Sequence, residues 1–316
     1  MRAYLVRRLL LIVPTLIGVT VLVSTLVHLL PGDVVDSVIG QFTPLSDQDH
    51  NRVRHELGLD KGLLESYASW VGGALTADLG KSLATRVPVR DEIKNRLPVT
   101  AELGLLAMVI SLAISLPVGV LSAVRQDSWL DYAARSFSIG MVAIPGFWLG
   151  TLVMVYPNKW WNYAPPLQYR SLFEDPRANL EMMIVPALIL GIGLSGTVMR
   201  LTRTQVLEVM RQDYIRTAWA KGLRERVVIV RHGLRNALIP VITLIGLQVP
   251  VIVGGAVILE TIFSIPGVGR YLVSAINLRD YPIIQGVNLL IACVVVFSNL
   301  VVDVCYAVLD PRVRYS

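Results

Sequence analysis

The sequence has 316 residues, of which 54% are hydrophobic and 16% are charged, whereas soluble domains carry about 25% charged residues. A soluble chain of this composition would expose large apolar patches, so the composition excludes an ordinary soluble protein and favours one whose solvent is lipid. The formal charge of +6 would suit either nucleic-acid binding or basic cytoplasmic loops, and the distribution of the charges along the chain favours loops over nucleic acid.

The N-terminus predicts a first membrane span rather than a cleaved signal. Arg7 and Arg8 precede the uncharged run 9–30, which ends before Pro31-Gly32-Asp33. As a helix this run is about 33 Å long, longer than the apolar core of a secretory signal and long enough to cross a bilayer. The two arginines place the start of the span in the cytoplasm.

Five further apolar stretches predict an all-α polytopic membrane protein with about six transmembrane helices. A backbone in lipid must satisfy its hydrogen bonds internally, so each stretch is expected to be a helix rather than a strand. Six spans that start inside also end inside, and we therefore expect both termini in the cytoplasm. The predicted spans are 9–30, 99–123, 132–156, 180–202, 237–262 and 283–308.

The charges of the connecting segments agree with this topology. Nine Lys or Arg and three acidic residues lie from Arg200 to Arg235, and all of them except Arg200 fall in the predicted cytoplasmic loop 203–236. The predicted outer segment 157–179 is nearly balanced, as the positive-inside bias requires. The predicted organisation is a cytoplasmic N-terminus with the first span (1–30), a small external subdomain with helices at 47–57 and 61–75 (31–98), and a five-span core (99–316).

The cytoplasmic stretch 213–240 is the most informative part of the sequence. Its pattern predicts a basic helix, a break at Gly222, a second basic helix, and Pro240 opening the fifth span. Glycine permits a positive φ or a close backbone approach, which suits a short helix that fits a groove of a partner protein. A solvated topology loop would also explain the arginines, but it does not explain Trp219 and Leu223 among them. The pattern favours partner docking.

Residues 216–223, Arg-Thr-Ala-Trp-Ala-Lys-Gly-Leu, resemble the coupling loop of ABC-importer permeases in the version typical of the dipeptide, oligopeptide and nickel branch. They depart from the wider family's Glu-Ala-Ala pattern, and the distance from Gly222 to Pro240 is longer than in that pattern. Other segments resemble this branch in the same order along the chain: 29–33, 78–82 with 88–89, 96–100, 260–270, Asp303 and 310–312.

The resemblance implies the permease subunit of an ATP-driven importer that works by alternating access in the inner membrane of a prokaryote. It further implies a second homologous permease (a heterodimer in this branch), two cytoplasmic ABC ATPase subunits, an external substrate-binding protein and surrounding lipid. The implied solute is a dipeptide or oligopeptide, with a nickel or glutathione-type solute as the alternative. The implied coupling residues are Asp213, Tyr214, Arg216, Thr217, Ala218, Ala220, Lys221, Gly222, Leu223 and Arg224.

Within this set the residues have separate expected roles. Gly222 is expected to act as a swivel, and the two alanines are expected to permit close approach of a partner. Polar contacts are expected from the basic side chains of the segment: Arg216, Lys221 and Arg224.

We expect no nucleotide, cofactor or metal site in this chain. Gly80-Lys81-Ser82 ends like a P-loop, but Leu75 stands where that motif requires glycine, and the triplet lies in the predicted external segment. ATP and Mg are therefore expected on partner ATPase subunits. The histidines and carboxylates show no metal-site spacing.

Other chemistry-bearing residues are expected to be structural. His28, Glu102, Glu260 and Asp303 lie near span ends, where capping or snorkelling suffices, although a functional role for them stays open. Cys293 and Cys305 would lie about 18 Å apart on one helix, too far for a disulfide, and are expected to be buried, inert thiols. Trp160-Trp161-Asn162-Tyr163 is typical of an interfacial aromatic belt, with a substrate-binding patch as the alternative.

Two other classes of protein are compatible with a polytopic chain. A secondary transporter or channel would need charged residues near the span midpoints, which are nearly free of charge here. A membrane-embedded enzyme would need clustered catalytic groups at one interface, and the sequence suggests none. Both are less favoured than the importer.

Overall fold

The computed structural model describes residues 2–29, 55, 62–162, 166 and 168–309 of the chain. These residues contain no β-strand, only an isolated bridge between Lys81 and Pro88, which confirms the predicted all-α class. The helices are α1 Arg2–Leu29, α2 Leu63–Leu75, α3 Val89–Val124, α4 Trp129–Ala143, α5 Gly146–Trp161, α6 Pro176–Met210, α7 Asp213–Ala220, α8 Glu225–Leu247, α9 Val249–Ile262, α10 Val268–Leu278 and α11 Tyr281–Leu309.

Five described helices (α1, α3, α6, α8 and α11) are each long and apolar enough to cross a membrane, and the bent pair α4–α5 makes a sixth candidate. The predicted third span, 132–156, is therefore two helices, which meet at 85°. The break follows from Pro145, because a proline drives the preceding residue out of the helical region. Ile144 accordingly has an extended conformation, with φ −86° and ψ 119°.

The prediction that Pro240 opens the fifth span is wrong. Helix α8 begins at Glu225 and continues through Pro240 to Leu247, and α9 follows after Gln248 alone. An internal proline removes one backbone donor and can kink a helix without ending it. Helix α6 also runs to Met210, so much of the predicted loop 203–236 is helical.

The contacts divide the chain into two compact units. One consists of Ala101–Ile265 with 297–309, and within it α6 packs against α4 and α8. Glycines on α6 permit close approach to α3 and α4: a Cβ at Gly191 would lie 2.6 Å from the carbonyl oxygen of Ala107 on α3, and one at Gly196 would lie 2.7 Å from that of Ser138 on α4. Small residues that let backbones approach are typical of helix contacts in membranes.

The other unit consists of the described residues of 2–100 with Pro266–Val296. The beginnings of α3 and α11 enclose a cluster with α10, formed by Val89, Ile93, Val268, Leu272, Ala275, Ile283, Ile284 and Val287. The loop before α3 is held to the α10–α11 turn, because the Ser82 hydroxyl donates to Asp280 Oδ2 at 2.6 Å. Helix α2 confirms the helix predicted at 61–75.

Several predictions fall where the structure gives no description. The helix predicted at 47–57 lies outside the described residues except for His55, and so do 30–33 and 310–312. The predicted three-part division at 1–30, 31–98 and 99–316 stays a prediction.

Candidate partner-binding site at 213–224

The segment 213–224, here called the elbow, follows α6 almost without a loop. Only Arg211 and Gln212 separate Met210 from Asp213, the first residue of α7. The inner face of α7 is anchored to this chain: Ile215 and Ala218 are buried against Val228 of α8, with Met210 packed beside them. Residues three apart share one face of a helix, so this pair fixes which side of α7 faces outward.

Gly222 ends α7 in the geometry that the sequence predicts. Its φ is +72°, a left-handed value that side-chain-bearing residues adopt only at a cost. The Gly222 N–H donates to the Trp219 carbonyl at 2.9 Å, and the Leu223 N–H donates to the Ala218 carbonyl at 3.4 Å. This pair of bonds is the Schellman motif that closes many helices. A Cβ at Gly222 would meet nothing within 4 Å, so backbone conformation alone explains the glycine.

The outer face of the elbow combines aromatic, aliphatic and basic side chains. Trp219 is 44% exposed, and Tyr214 and Leu223 are also exposed. The Arg216–Asp213 ion pair is long at 3.4 Å, and its side chains are 76% and 95% exposed. Such an exposed pair is weak, so both side chains can turn to a partner protein. The exposed members of the predicted set are Asp213, Tyr214, Arg216, Thr217, Ala220, Lys221, Gly222, Leu223 and Arg224, whereas Ala218 faces this chain's own interior.

Asn236 also supports the elbow, although its place in the sequence suggested no role. Its Nδ2 donates to the Tyr214 hydroxyl at 2.9 Å and joins α7 to α8 across 22 residues. Between these residues α8 contains a π-helical stretch, Val228–Leu234. A Cβ at Gly233 within it would lie 3.2 Å from Met210 Sδ. Such stretches are uncommon and are frequent at functional sites.

A buried ion pair lies at the start of α4 and escaped the sequence prediction. Asp131, which lies between the predicted spans 99–123 and 132–156, is 0% exposed. Arg203 of α6 binds it with two bonds, Nε to Oδ1 at 2.7 Å and Nη2 to Oδ2 at 2.6 Å. The Ser122 hydroxyl and the Asp127 N–H also donate to the carboxylate, at 2.5 Å and 3.1 Å. The only available signal was an acidic residue just after a serine N-cap, which by itself predicts a surface position.

The ionisable residues singled out from the sequence have varied surroundings. Glu102 Oε2 accepts the Tyr169 hydroxyl at 2.6 Å, and burial together with this carboxylate raises the pKa of Tyr169. Glu260 is fully buried rather than snorkelling, a correction to the prediction, and both Glu260 and Asp303 have interaction partners. The side chain of His28 lies outside the described residues.

Of two further predictions, the one for the cysteines needs adjustment and the one for the tryptophans does not. Cys293 and Cys305 are free, as predicted, but Cys293 is exposed on the surface of α11 rather than buried. A spanning helix presents one side to lipid, so an apolar thiol need not be covered by protein. Trp160 and Trp161 are exposed at the end of α5, as an aromatic belt requires.

The expected absence of a metal or nucleotide site stays a prediction. No group of three His, Cys, Asp or Glu side chains within 2–29, 62–162 and 168–309 could hold a metal ion. In the Gly80-Lys81-Ser82 triplet, the Ser82 hydroxyl is buried and donates to the Asp280 carboxylate.

Known proteins resemble the chain along its entire length. Residues 115–315 match the family model described as binding-protein-dependent transport system inner membrane component, and residues 1–104 match the model for the N-terminal part of such components. The dipeptide transport system permease protein DppB of Escherichia coli K12 is 40% identical over 342 residues, with all of both chains covered. The di/tripeptide transport system permease protein DppB of Pseudomonas aeruginosa is 38% identical, also with both chains fully covered.

A solved structure adds a likeness of fold. The crystal structure of an amino acid ABC transporter with histidines matches 71% of this chain and 94% of its own, with a TM-score of 0.50 and 15% identity. On the family matches and the full-length relatives, this chain belongs to the family of binding-protein-dependent transport system inner membrane components and is a multi-pass permease subunit of an ABC importer in the inner membrane of a prokaryote.

Proposed function

We propose that this permease carries short peptides across the inner membrane by alternating access, driven by two ATPase subunits that dock on the elbow. The observation that carries the docking is the elbow itself, a capped helix with Trp219 and Leu223 exposed among basic residues. A soluble groove that accepts one face of a short helix would bury these apolar groups. The peptide as solute is supported by the relatives, which are named for dipeptide and di/tripeptide transport.

The packing of the elbow explains how a push on it would reach the spans. Helix α7 contacts the end of α6 through Met210 and the start of α8 through Val228. Close-packed contacts transmit displacement because side chains in them cannot be compressed. Movement of the docked ATPase subunits would therefore displace two spanning helices together. This would be one element of the rocking motion by which packed helices change access.

The remaining partners follow from the same proposal. A second, homologous permease completes the path, and the pair is a heterodimer. An external substrate-binding protein delivers the solute near 31–98 and 264–282, and both termini lie in the cytoplasm. ATP and Mg are bound by the ATPase subunits, and this chain holds no cofactor. A secondary transporter or channel would need no ATPase partner, so co-purification of ATPase subunits in mild detergent separates the two functions.

The elbow is tested by substitution at Gly222. Gly222→Leu forces a β-carbon into a left-handed conformation that costs about 1–2 kcal/mol and should distort the cap, while open space around it spares the fold. We expect assembled complexes in which ATP turnover continues and peptide uptake falls at least tenfold.

Gly222→Asn is the matched control, because asparagine tolerates a positive φ better than other side chains. It should retain most of the uptake. Uptake by Gly222→Leu at the level of Gly222→Asn would contradict the role of the elbow.

A further inference from the structure

An open cavity of about 470 Å3 lies in the surface of the Ala101–Ile265 unit, where the break between α4 and α5 adjoins α6 and α9. Its volume is within the range of small-molecule sites, roughly 300–1,000 Å3. The walls come from 141–147 at the break, from 189–197 on α6 and from 248–259, and no charged residue is among them. Two positions of these walls, Thr197 and Gln248, carry polar side chains.

Gln248 is the unusual wall residue. It is 8% exposed, lies in the one-residue link between α8 and α9, and its side-chain amide makes no hydrogen bond to any other residue that the structure describes. The amide nitrogen and oxygen are not sealed off from solvent, so they are free to pair with water or with a ligand that enters the cavity. A glutamine amide offers both a donor and an acceptor.

The break places the beginning of a helix at the same cavity. Gly146 and Phe147 are the first two residues of α5, a helix of 16 residues, and both line the cavity. The first N–H groups of a helix have no intrahelical partner. The first residues of α5 thus form one wall of the cavity and the Gln248 side chain forms part of another, while the remaining lining is apolar apart from Thr197.

We propose that this cavity is a transit site for the peptide, in which Gln248 pairs with a backbone amide of the peptide and the apolar walls take an uncharged side chain. The inference rests on the proposed function and adds the residues that hold the solute on its way. An amide is the natural partner for an amide, because donor and acceptor match on both sides. A charged side chain would lose its water here without gaining an opposite charge, and a bare metal ion would find none of its usual ligands.

Gly193 provides a way to fill the cavity without disturbing the fold. It lines the cavity, and a Cβ added there would meet nothing within 4 Å. In the assembled transport complex in liposomes, with ATP inside, Gly193→Phe should lower uptake of labelled Ala-Phe at least tenfold. Gly254→Phe is the matched control, because Gly254 on α9 also has open space around it, is exposed and does not line the cavity.

Gln248→Leu tests the hydrogen bond at nearly constant volume. Loss of one hydrogen bond, worth about 0.5–1.5 kcal/mol, should raise the KM for Ala-Phe by roughly two- to tenfold. Gln248→Asn keeps the amide and should restore part of the affinity. An equal KM for wild type and Gln248→Leu would overturn the assignment of this side chain.

Direct occupancy is measured by thiol protection. In a chain with Cys293 and Cys305 replaced by serine, Gly193→Cys should react with N-ethylmaleimide more slowly during Ala-Phe uptake than without peptide. The reaction of Gly254→Cys should not change. The assignment of the cavity as a transit site would be overturned if peptide did not change the labelling of Gly193→Cys and if Gly193→Phe and Gly254→Phe took up peptide equally. The proposal of peptide transport would then still stand. A wild-type complex that imports no peptide would overturn the proposed function and this inference with it.

Discussion

A carboxylate removed from water needs an opposite charge close by, and Asp131 receives one from Arg203 in a two-bond geometry. The pair joins the start of α4 to α6, and the Ser122 hydroxyl adds the end of α3. Arg203 is 18% exposed and Asp131 is fully buried. Breaking such a pair from one side costs about 3–5 kcal/mol, because the remaining charge stays in place without compensation.

Asp131→Asn should therefore lower the thermal stability of the detergent-purified protein. The amide keeps the shape of the side chain but leaves the guanidinium of Arg203 without its counter-charge. We expect a drop of several degrees in the midpoint of unfolding. The midpoint is measured by size-exclusion chromatography of samples heated to increasing temperatures.

The exposed pair Arg177–Glu181 supplies the comparison. Its side chains are 89% and 50% exposed, so Glu181→Gln should change the midpoint little, because exposed pairs contribute less than about 1 kcal/mol. Equal shifts for Asp131→Asn and Glu181→Gln would contradict a stabilising role for the buried pair.

At the scale of helices, α6 is the element against which others pack, and its glycines decide how closely they approach. Gly191 lies opposite the backbone of α3 at Ala107, and Gly196 lies opposite the backbone of α4 at Ser138. A third close approach occurs at Gly119 of α3, whose added Cβ would lie 2.9 Å from the Met199 carbonyl oxygen of α6. In each case the opposing atom belongs to the backbone and cannot rotate away.

Gly191→Ala should destabilise the protein, although alanine in a helix is usually more stable than glycine by about 0.5–1 kcal/mol. The added methyl group would contact the Ala107 carbonyl at 2.6 Å and push α3 from α6. Gly193 lies two residues after Gly191, and an added Cβ there would meet nothing within 4 Å. Gly193→Ala should therefore be neutral or stabilising. The measurement is the unfolding midpoint of both variants, and a destabilisation by Gly193→Ala as large as that by Gly191→Ala would contradict the packing argument.

For the molecule as a whole, the orientation in the membrane decides whether the elbow can meet cytoplasmic ATPase subunits. The basic stretch between Arg200 and Arg235 predicts that the elbow is inside, whereas the nearly balanced segment 157–179 is predicted outside. Lys221 and Phe173 represent the two sides well, because both side chains are exposed.

Thiol labelling tests this orientation. In a chain without Cys293 and Cys305, Lys221→Cys should react with an impermeant maleimide only after the inner membrane is opened. Phe173→Cys should react once the reagent reaches the outer face of the inner membrane. Labelling of Lys221→Cys under the same conditions as Phe173→Cys would place the elbow outside and end the coupling proposal.

The amino-acid sequence alone was sufficient for the class of protein and for the glycine that ends α7, and its six predicted spans compare with five spanning helices and one bent pair in the described residues. These features depend on local properties: apolar runs as long as a bilayer is thick, and a backbone conformation that glycine adopts most readily. The resemblance at 216–223 likewise rests on a continuous stretch of residues. Each of these features could be predicted without knowing which helices contact each other.

Only the tertiary structure decided which polar groups are buried and what they meet. The charge on Arg203 comes to Asp131 from 72 residues away, and the inward face of α7 depends on Val228 of the following helix. The cavity at Gln248 exists because three separate parts of the chain surround it. Burial is a property of neighbours, and hydropathy along the chain records only the residue itself.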